Sequence, residues 1–168
     1  LTAAAKARGK LRLALLMEAI CATGIRVSEV RYITVEAAKA GRAEIALKGK
    51  IRTILLPNKL LKYAKQQKNA SGEIFLTRNG TPLSRRQIWA EMKGLCGAAG
   101  VTASKVFPHN FRHLFATAFY RATRDIVKLA DVLGHSSIET TRIYLLWSGA
   151  PAAVRSAGAG FVITEFTF

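Results

Sequence analysis

The chain contains few acidic residues and few cysteines. Asp and Glu together number 10 among 168 residues, and they are scattered along the sequence. Phosphoryl transfer by two metal ions needs several carboxylates that converge on one site, so this scatter argues against a metal-dependent nuclease. The 2 cysteines, Cys21 and Cys96, lie far apart and outside any CxxC pair. This spacing excludes a framework of disulfides, disfavours structural zinc and predicts buried free thiols in a reducing compartment.

The sequence also lacks a long apolar run. One of its longest apolar windows, residues 11–22, is interrupted by Arg12 and Glu18. Such a window is too short and too charged to span a bilayer, and no signal-peptide pattern opens the chain. Half of the residues are nevertheless apolar, which is enough for a chain of this length to bury a core. We therefore expect a folded, soluble protein of the cytoplasm.

Basic residues, in contrast, are in large excess. Lys and Arg number 26 against 10 Asp and Glu, which gives a formal net charge of +16. A field of this sign gathers polyanions, and nucleic acids bind such surfaces through phosphate neutralisation and counterion release. A solubilising surface and attraction to anionic lipid are the alternatives. The composition favours a nucleic-acid partner, but it does not distinguish a binding protein from an enzyme.

The hydrophobic pattern predicts an α+β fold that is mainly helical, with a small antiparallel β-sheet. Two β-prone runs, residues 43–47 and 51–56, flank a Lys-Gly-Lys turn and predict a hairpin, and residues 74–76 predict a short third strand. Capping residues and helical spacing predict helices over residues 11–22, 59–68, 85–98, 108–120, 125–133 and 140–147.

Four segments combine residue types that suit chemistry on a phosphate ester. They are residues 22–30 (ATGIRVSEV), residues 48–50 (KGK), residues 108–113 (PHNFRH) and residues 133–135 (LGH) with Tyr144 nine residues further on. Cleaving a phosphodiester needs a nucleophile, neutralisation of the developing negative charge, and a proton for the departing oxygen. Tyrosine, arginine, histidine and lysine side chains can supply these functions without a metal ion.

The spacing of the basic residues is consistent with one phosphate site. Arg26 and Arg112 have planar guanidinium groups that can each grip phosphate oxygens bidentately. His109 and Arg112 are three residues apart on a predicted helix, so both project from one face. His135 follows a glycine at a helix end, where its ring can reach an oxygen. Lys48, at the tip of the hairpin, can enter a minor groove and protonate the leaving oxygen.

In this order the four segments resemble the catalytic boxes of the tyrosine recombinases, the phage integrase family, from about residue 11 to residue 146. The resemblance implies a catalytic domain that cleaves and rejoins duplex DNA through a 3′-phosphotyrosine, with no cofactor. It implies a catalytic set that consists of Arg26, Lys48, His109, Arg112, His135 and Tyr144, with Tyr144 as the nucleophile. We expect Glu29 to orient Arg26, and Lys50 remains an alternative to Lys48 as the general acid.

Each residue taken singly has a simpler interpretation. His109 and His113 are spaced like a zinc pair, although no glutamate lies between them and no third ligand follows. Tyr144 alone would be a packing aromatic, and we expect His113 to pack or bond beside the site. The combined order favours the enzyme. A topoisomerase-like DNA relaxer, a non-catalytic DNA-binding protein and an RNA-binding protein remain alternatives, although no aromatic stacking motif for RNA is apparent.

The chain divides into three predicted segments. They are a catalytic domain over residues 1–147, an Ala/Gly-rich tether over residues 148–160 and a strand-like tail over residues 161–168. The first box begins near residue 22, which leaves no room for the N-terminal helical domain of the family, so we expect weaker DNA binding. The resemblance also implies four protomers on paired DNA sites. We expect the apolar tail to dock, in cis on the hairpin or in trans on a neighbouring protomer.

Overall fold

The structure is a computed structural model, and it describes residues 1–47, 50–67 and 71–148. Within these ranges the α-helices are α1 (Thr2–Ala7), α2 (Leu11–Thr23), α3 (Val35–Ala40), α4 (Asn58–Gln66), α5 (Arg85–Lys93), α6 (Cys96–Ala99), α7 (Pro108–Thr123), α8 (Ile126–Leu133) and α9 (Ile138–Ser148). Short 3₁₀ helices span Val27–Tyr32 and Ala103–Lys105. None of the described helices is long and apolar enough to cross a membrane.

Two strands form a small antiparallel sheet. Strand β1 (Arg42–Leu47) pairs with β2 (Lys50–Leu55), and the register runs from Arg42 opposite Leu55 to Leu47 opposite Lys50. The antiparallel pairing of these two strands matches the predicted hairpin. The mainly helical α+β fold with a small antiparallel sheet is therefore confirmed.

Helix α2 lies at the centre of the larger core. Buried side chains lie on every side of this helix, because they include not only Leu13, Leu16 and Ile20 on one face but also Ala14, Leu15 and Ala19 on the others. A helix that is apolar on all sides must be covered on all sides, and α1, α4, α5 and α7 pack around it. This packing fixes the position of the C-terminal end of α2, where the candidate site begins.

Gly24 ends α2 at a position where α7 comes very close. Its φ is +66°, and its N–H donates to the carbonyl of Ile20 at 2.9 Å. A Cβ atom at Gly24 would lie 2.4 Å from Cδ1 of Phe115 on α7. Both the left-handed backbone and the contact with Phe115 therefore require glycine.

We expect Gly24→Ala to destabilise the fold more than the same change at Gly9. Gly9 has the same φ of +66°, but nothing lies within 4 Å of a Cβ atom there, so Gly9→Ala measures the backbone cost alone, about 1–2 kcal/mol. Gly24→Ala adds the clash with Phe115, which costs about 1–3 kcal/mol more. Urea unfolding of both variants measures the difference, and equal losses would contradict the close approach of α2 and α7.

A second, smaller core joins α7, α8 and α9. Its buried members are Phe115, Ala116, Phe119, Leu129 and Leu133. Tyr144 is partly buried and packs against this cluster from α9. The cluster therefore holds the chain that follows His135 against α7, and it brings Tyr144 back toward the first part of that helix.

Three details differ from the sequence prediction. Residues 74–76 form no strand, because the segment makes only isolated bridges, Thr34 with Glu73 and Leu76 with Pro82. The helix predicted over residues 85–98 is interrupted at Gly94 and continues as α6, consistent with the low helix propensity of glycine. The Ser136–Glu139 spacing also predicts a capping box, but Ser137 accepts the capping hydrogen bond, from the N–H of Glu139 at 3.2 Å. Residues 149–160 of the predicted tether and the predicted tail, residues 161–168, lie outside the described residues.

Candidate active site

The guanidinium group of Arg112 lies at the centre of the candidate site. Arg112 is 2% exposed, and it donates to the carbonyl of Gly24 at the end of α2 and to that of Leu133 at the end of α8, the latter at 2.7 Å. Carbonyls at helix C-termini have no partner within their own helix and carry partial negative charge. They compensate the buried cation and fix its orientation.

The same burial lowers the pKa of Arg112 but leaves the group charged at neutral pH. Burial, and next the repulsion from Arg26, lowers the pKa of Arg112 from 12.5 to about 10. The group therefore remains a cation at neutral pH. A desolvated cation attracts an anion more strongly than a hydrated one does, because the effective dielectric constant around it is lower.

Arg26 and Glu29 form a reciprocal pair in the turn that follows α2. The backbone N–H of Arg26 donates to Oε2 of Glu29 at 2.7 Å, and its guanidinium donates to Oε1 at 2.8 Å. The same guanidinium lies 3.4 Å from the carbonyl of Gly134. The Glu29 side chain is 4% exposed and that of Arg26 is 34% exposed. A buried carboxylate thus holds an arginine that remains accessible to a ligand.

His135 connects Arg112 to α9. Gly134 ends α8 with a φ of +64°, and this turn brings the His135 ring back toward Arg112. Its Nε2 lies 3.2 Å from a guanidinium nitrogen of Arg112, and its Nδ1 lies 2.9 Å from Oγ1 of Thr141. Because a guanidinium can only donate, Nε2 accepts, and the ring proton on Nδ1 is donated to Thr141. Burial, followed by the charges of Arg112, Arg26 and Arg52, lowers the pKa of His135 to about 4.

The ring of Tyr144 packs among three imidazole rings. It stacks on His113 with a centroid distance of 3.7 Å and an interplanar angle of 10°, and it meets His109 and His135 edge-on at 5.3 and 5.5 Å. Burial raises the pKa of Tyr144 to about 12, and attraction by Arg112 and Arg26 opposes that rise. The phenol therefore lies within the electrostatic reach of both guanidinium groups.

His109 and His113 lie one turn apart at the start of α7, which Pro108 opens. Their rings meet edge-on at 4.6 Å. Burial, and next the charge of Arg112, lowers the pKa of His109, while burial and the neighbouring His109 lower that of His113 to about 4. Among the described residues, no group of three or more His, Cys, Asp or Glu side chains could hold a metal ion.

The depressed pKa values make stability depend on pH. A free histidine titrates near 6.5, whereas the pKa of His113 and that of His135 lie near 4. Between these values the unfolded chain binds protons that the folded chain does not, so stability falls as the pH falls from about 6.5 toward 4. Urea unfolding across this range should show a shallower decline for His113→Phe than for the unsubstituted chain. Parallel declines would contradict a neutral, partly buried His113.

Arg26, His109 and Arg112 line a cleft with a volume of about 790 Å³. Two further arginines, Arg85 and Arg86, also line it. Trp89 and Phe107 line it as well, and their rings stack at 6.4 Å. The cleft combines positive charge with flat apolar surface, which suits a polyanion with planar groups.

Residues 1–147 match the sequence profile of the phage integrase family. The chain belongs to the phage integrase family of tyrosine recombinases. The tyrosine recombinase XerD of Staphylococcus saprophyticus is 34% identical over 142 residues, which cover 77% of this chain and 48% of XerD. The tyrosine recombinase XerA of Pyrococcus furiosus is 32% identical over 148 residues, which cover 82% of this chain and 51% of XerA. The chain thus spans about half the length of these relatives.

Solved structures of family members have the same fold. The crystal structure of a XerA recombinase superposes with a TM-score of 0.68 at 25% identity, over 85% of this chain and 54% of that one. The XerH recombinase in a pre-cleavage complex with its difH substrate gives 0.65 at 25% identity, over 86% of this chain and 44% of XerH. The catalytic domain of bacteriophage HP1 integrase gives 0.58 at 24% identity, over 86% of this chain and 79% of that domain. The predicted family is confirmed.

Five of the six residues that the family resemblance singles out lie together in the fold. They are Arg26, His109, Arg112, His135 and Tyr144. The sixth, Lys48, lies outside the described residues. Lys50 is described only by its backbone, which pairs with Leu47. The choice between the two lysines therefore stays a prediction.

Arg52 and Thr141 bond to site residues but were not singled out by the sequence analysis. Arg52, on β2, bonds to Glu29 and to the carbonyl of Val132. Thr141 has no exposed surface and holds the His135 ring. A signal for Arg52 does exist in the sequence, because it alternates with Ile54 on the inward face of a predicted strand, where a charged residue is unusual.

Proposed function

We propose that this chain is the catalytic part of a site-specific recombinase that cleaves and rejoins duplex DNA through a 3′-phosphotyrosine. The observation that carries the proposal is the convergence of two arginines, two neutral histidines and a tyrosine beside one cationic cleft. These are the groups that phosphodiester cleavage requires when no metal ion takes part. Family membership supplies the independent support.

The first step is binding of the scissile phosphate. Arg112, fixed by two helix-end carbonyls, and Arg26, fixed by Glu29, offer their remaining N–H groups to the non-bridging oxygens. An anion at this position would also raise the low pKa of His135, because it opposes the charges that depress it. His135 could then donate a hydrogen bond to the phosphate.

The second step is attack by the Tyr144 oxygen on phosphorus. A bond forms between this oxygen and phosphorus, and the bond from phosphorus to the 5′ oxygen of the DNA breaks. One of the neutral imidazoles that flank the phenol takes its proton, and Lys48 gives a proton to the departing oxygen. The reverse attack, by a DNA 5′ hydroxyl, rejoins the strand. The ester conserves the bond energy, so neither ATP nor a metal ion is required.

Duplex DNA and further copies of the chain are the proposed partners. Exchange of strands between two sites requires a protomer at each cleavage point, so we propose four protomers on paired sites, bound to DNA in the cytoplasm. Residues 1–147 would form the catalytic domain, and the tether, residues 148–160, would let the tail, residues 161–168, dock in cis or in trans. Deletion of residues 161–168 tests docking, because loss of docking in trans should lower the mass in solution and loss of docking in cis should lower the stability. If the deletion changes neither quantity, the tail does not dock.

A pool of duplexes of random sequence, each with a single nick, tests the function. Cleavage near a nick releases a short strand that cannot religate, so the covalent adduct accumulates and survives a denaturing gel. We expect the adduct to form equally well with and without EDTA. DNA binding with no adduct would favour the non-catalytic DNA-binding protein. Relaxation of a supercoiled plasmid without exchange between sites would favour the topoisomerase-like activity.

A further inference from the structure

Arg52 joins three segments that are far apart in sequence. Its side chain is 15% exposed, and its guanidinium donates to Oε2 of Glu29 and to the carbonyl of Val132, next to the end of α8. The end of the same side chain, from Cδ to the guanidinium, lies 3.2–3.3 Å from the position that a Cβ atom of Gly134 would occupy. Strand β2, the Arg26–Glu29 turn and the turn before His135 therefore meet at one side chain.

The residues that Arg52 contacts adjoin two residues proposed to bind the phosphate, Arg26 and His135. Oε2 of Glu29 accepts from Arg52 and from the backbone N–H of Arg26, while Oε1 accepts from the Arg26 guanidinium. Gly134, against which Arg52 packs, precedes His135, and its carbonyl faces Arg26 at 3.4 Å. One buried carboxylate thus supports two guanidinium groups, and loss of either cation leaves it undercompensated.

A role in folding alone would not require these contacts. An apolar side chain, like Ile54 on the same inward face, would suffice to pack β2 against the core. Arg52 instead directs polar bonds to two segments that carry site residues, and the missing Cβ of Gly134 leaves room for it. Burial, followed by the charge of Arg26, lowers the pKa of Arg52, and Glu29 opposes this, so the cation is kept in place by its partners.

We propose that Arg52 is a positioning residue for strand cleavage, which locks the β1–β2 hairpin to the Arg26–Glu29 pair and to the turn that bears His135. The inference rests on the proposed function. Because Lys48, the candidate general acid, lies between β1 and β2 in the sequence, we expect loss of Arg52 to affect proton donation as well as phosphate binding.

Arg52→Met, Arg52→Lys and the matched control Arg42→Met test the proposal. Arg42 loses the same charge from the same sheet, but its side chain is exposed and β1 places it on the outer face. We expect Arg52→Met to slow adduct formation at saturating DNA by about 100-fold, as misplacement of reacting groups does, with little change in DNA affinity. Arg52→Lys, which keeps the charge but not the fork, should recover part of the rate. Arg42→Met should cleave at the rate of the unsubstituted chain.

A substrate with a sulfur atom at the bridging 5′ position shows whether Arg52 positions the proton donor, the phosphate-binding residues or both. A thiolate leaves without protonation, so this substrate bypasses the general acid. If the sulfur substrate restores the full cleavage rate of Arg52→Met, the substitution affects only proton donation. We expect partial restoration, because Arg52 also contacts the segments that carry Arg26 and His135. An Arg52→Met variant that cleaves the ordinary substrate at the normal rate, while the unsubstituted chain forms adduct, would overturn the proposal and leave the proposed function intact.

A readout without DNA separates this inference from the proposed function. Amide hydrogen exchange of the folded chain should show loss of protection in β2 and around Gly134 in Arg52→Met, but not in Arg42→Met. Protection in α2 should be retained, which would show that the variant is folded. Unchanged exchange in both β2 and the Gly134 turn would overturn the lock, whether or not the unsubstituted chain cleaves DNA.

Discussion

Replacement of Tyr144 by phenylalanine is expected to abolish the covalent protein–DNA adduct and to leave DNA binding almost unchanged. The substitution removes one oxygen, and the ring can keep its stacking on His113, which has a centroid distance of 3.7 Å. Loss of a nucleophile costs about 10⁴-fold to 10⁶-fold in the rate of the covalent step. The adduct should therefore fall below detection on a denaturing gel, while the affinity for DNA in a mobility-shift assay should stay within about 3-fold, since phosphate contacts dominate binding.

Tyr120→Phe is the matched control for this experiment. Tyr120 also packs against the small core that α7, α8 and α9 share, so the control removes a hydroxyl from the same cluster. We expect it to form adduct at the normal rate. An adduct that persists in Tyr144→Phe would assign the nucleophile to another residue. Loss of adduct in both variants would point to damage of the small core instead.

The sequence predicted the elements whose ends carry strong local signals. Gly24 and Gly134 end α2 and α8 in the left-handed conformation, Ser84 and Asp125 cap α5 and α8 through their side chains, and Pro108 opens α7. These signals act over a few residues, so they can be identified without knowledge of the fold. The strand predicted over residues 74–76 was wrong, because strand formation depends on a partner that sequence alone does not identify.

The contacts within the site were predictable only in part. The order of the motifs identifies which residues take part, but not which atoms meet. Arg52 is 23 residues from Glu29 and 80 residues from Val132, and no periodicity links residues at such separations. The stacking of His113 on Tyr144 likewise depends on how α9 packs on α7. Tertiary packing therefore determines the positioning contacts, whereas local sequence determines the elements that present them.

Arg112→Lys is expected to impair both cleavage and folding, although it keeps the side chain basic. The guanidinium meets three acceptors, the carbonyls of Gly24 and Leu133 and Nε2 of His135, and an ammonium group cannot match this planar fork. Unpaired buried carbonyls should lower the free energy of unfolding by about 1–3 kcal/mol. The burial that lowers the pKa of Arg112 to about 10 would also act on the lysine, which starts from a lower value and would therefore be partly neutral.

Loss of that preorganised charge should slow adduct formation by about 100-fold to 1,000-fold at saturating DNA. Two controls separate charge from structure. Arg121→Lys alters an exposed residue at the far end of the same helix and should change neither quantity. Arg26→Lys alters a guanidinium that is 34% exposed, so it should slow cleavage with a smaller loss of stability. Urea unfolding and adduct rates at one temperature measure both effects. Because the guanidinium has five N–H donors, it can bond to the two carbonyls and to a phosphate at the same time. Normal cleavage by Arg112→Lys would mean that Arg112 only stabilises the helix ends and that Arg26 alone binds the phosphate.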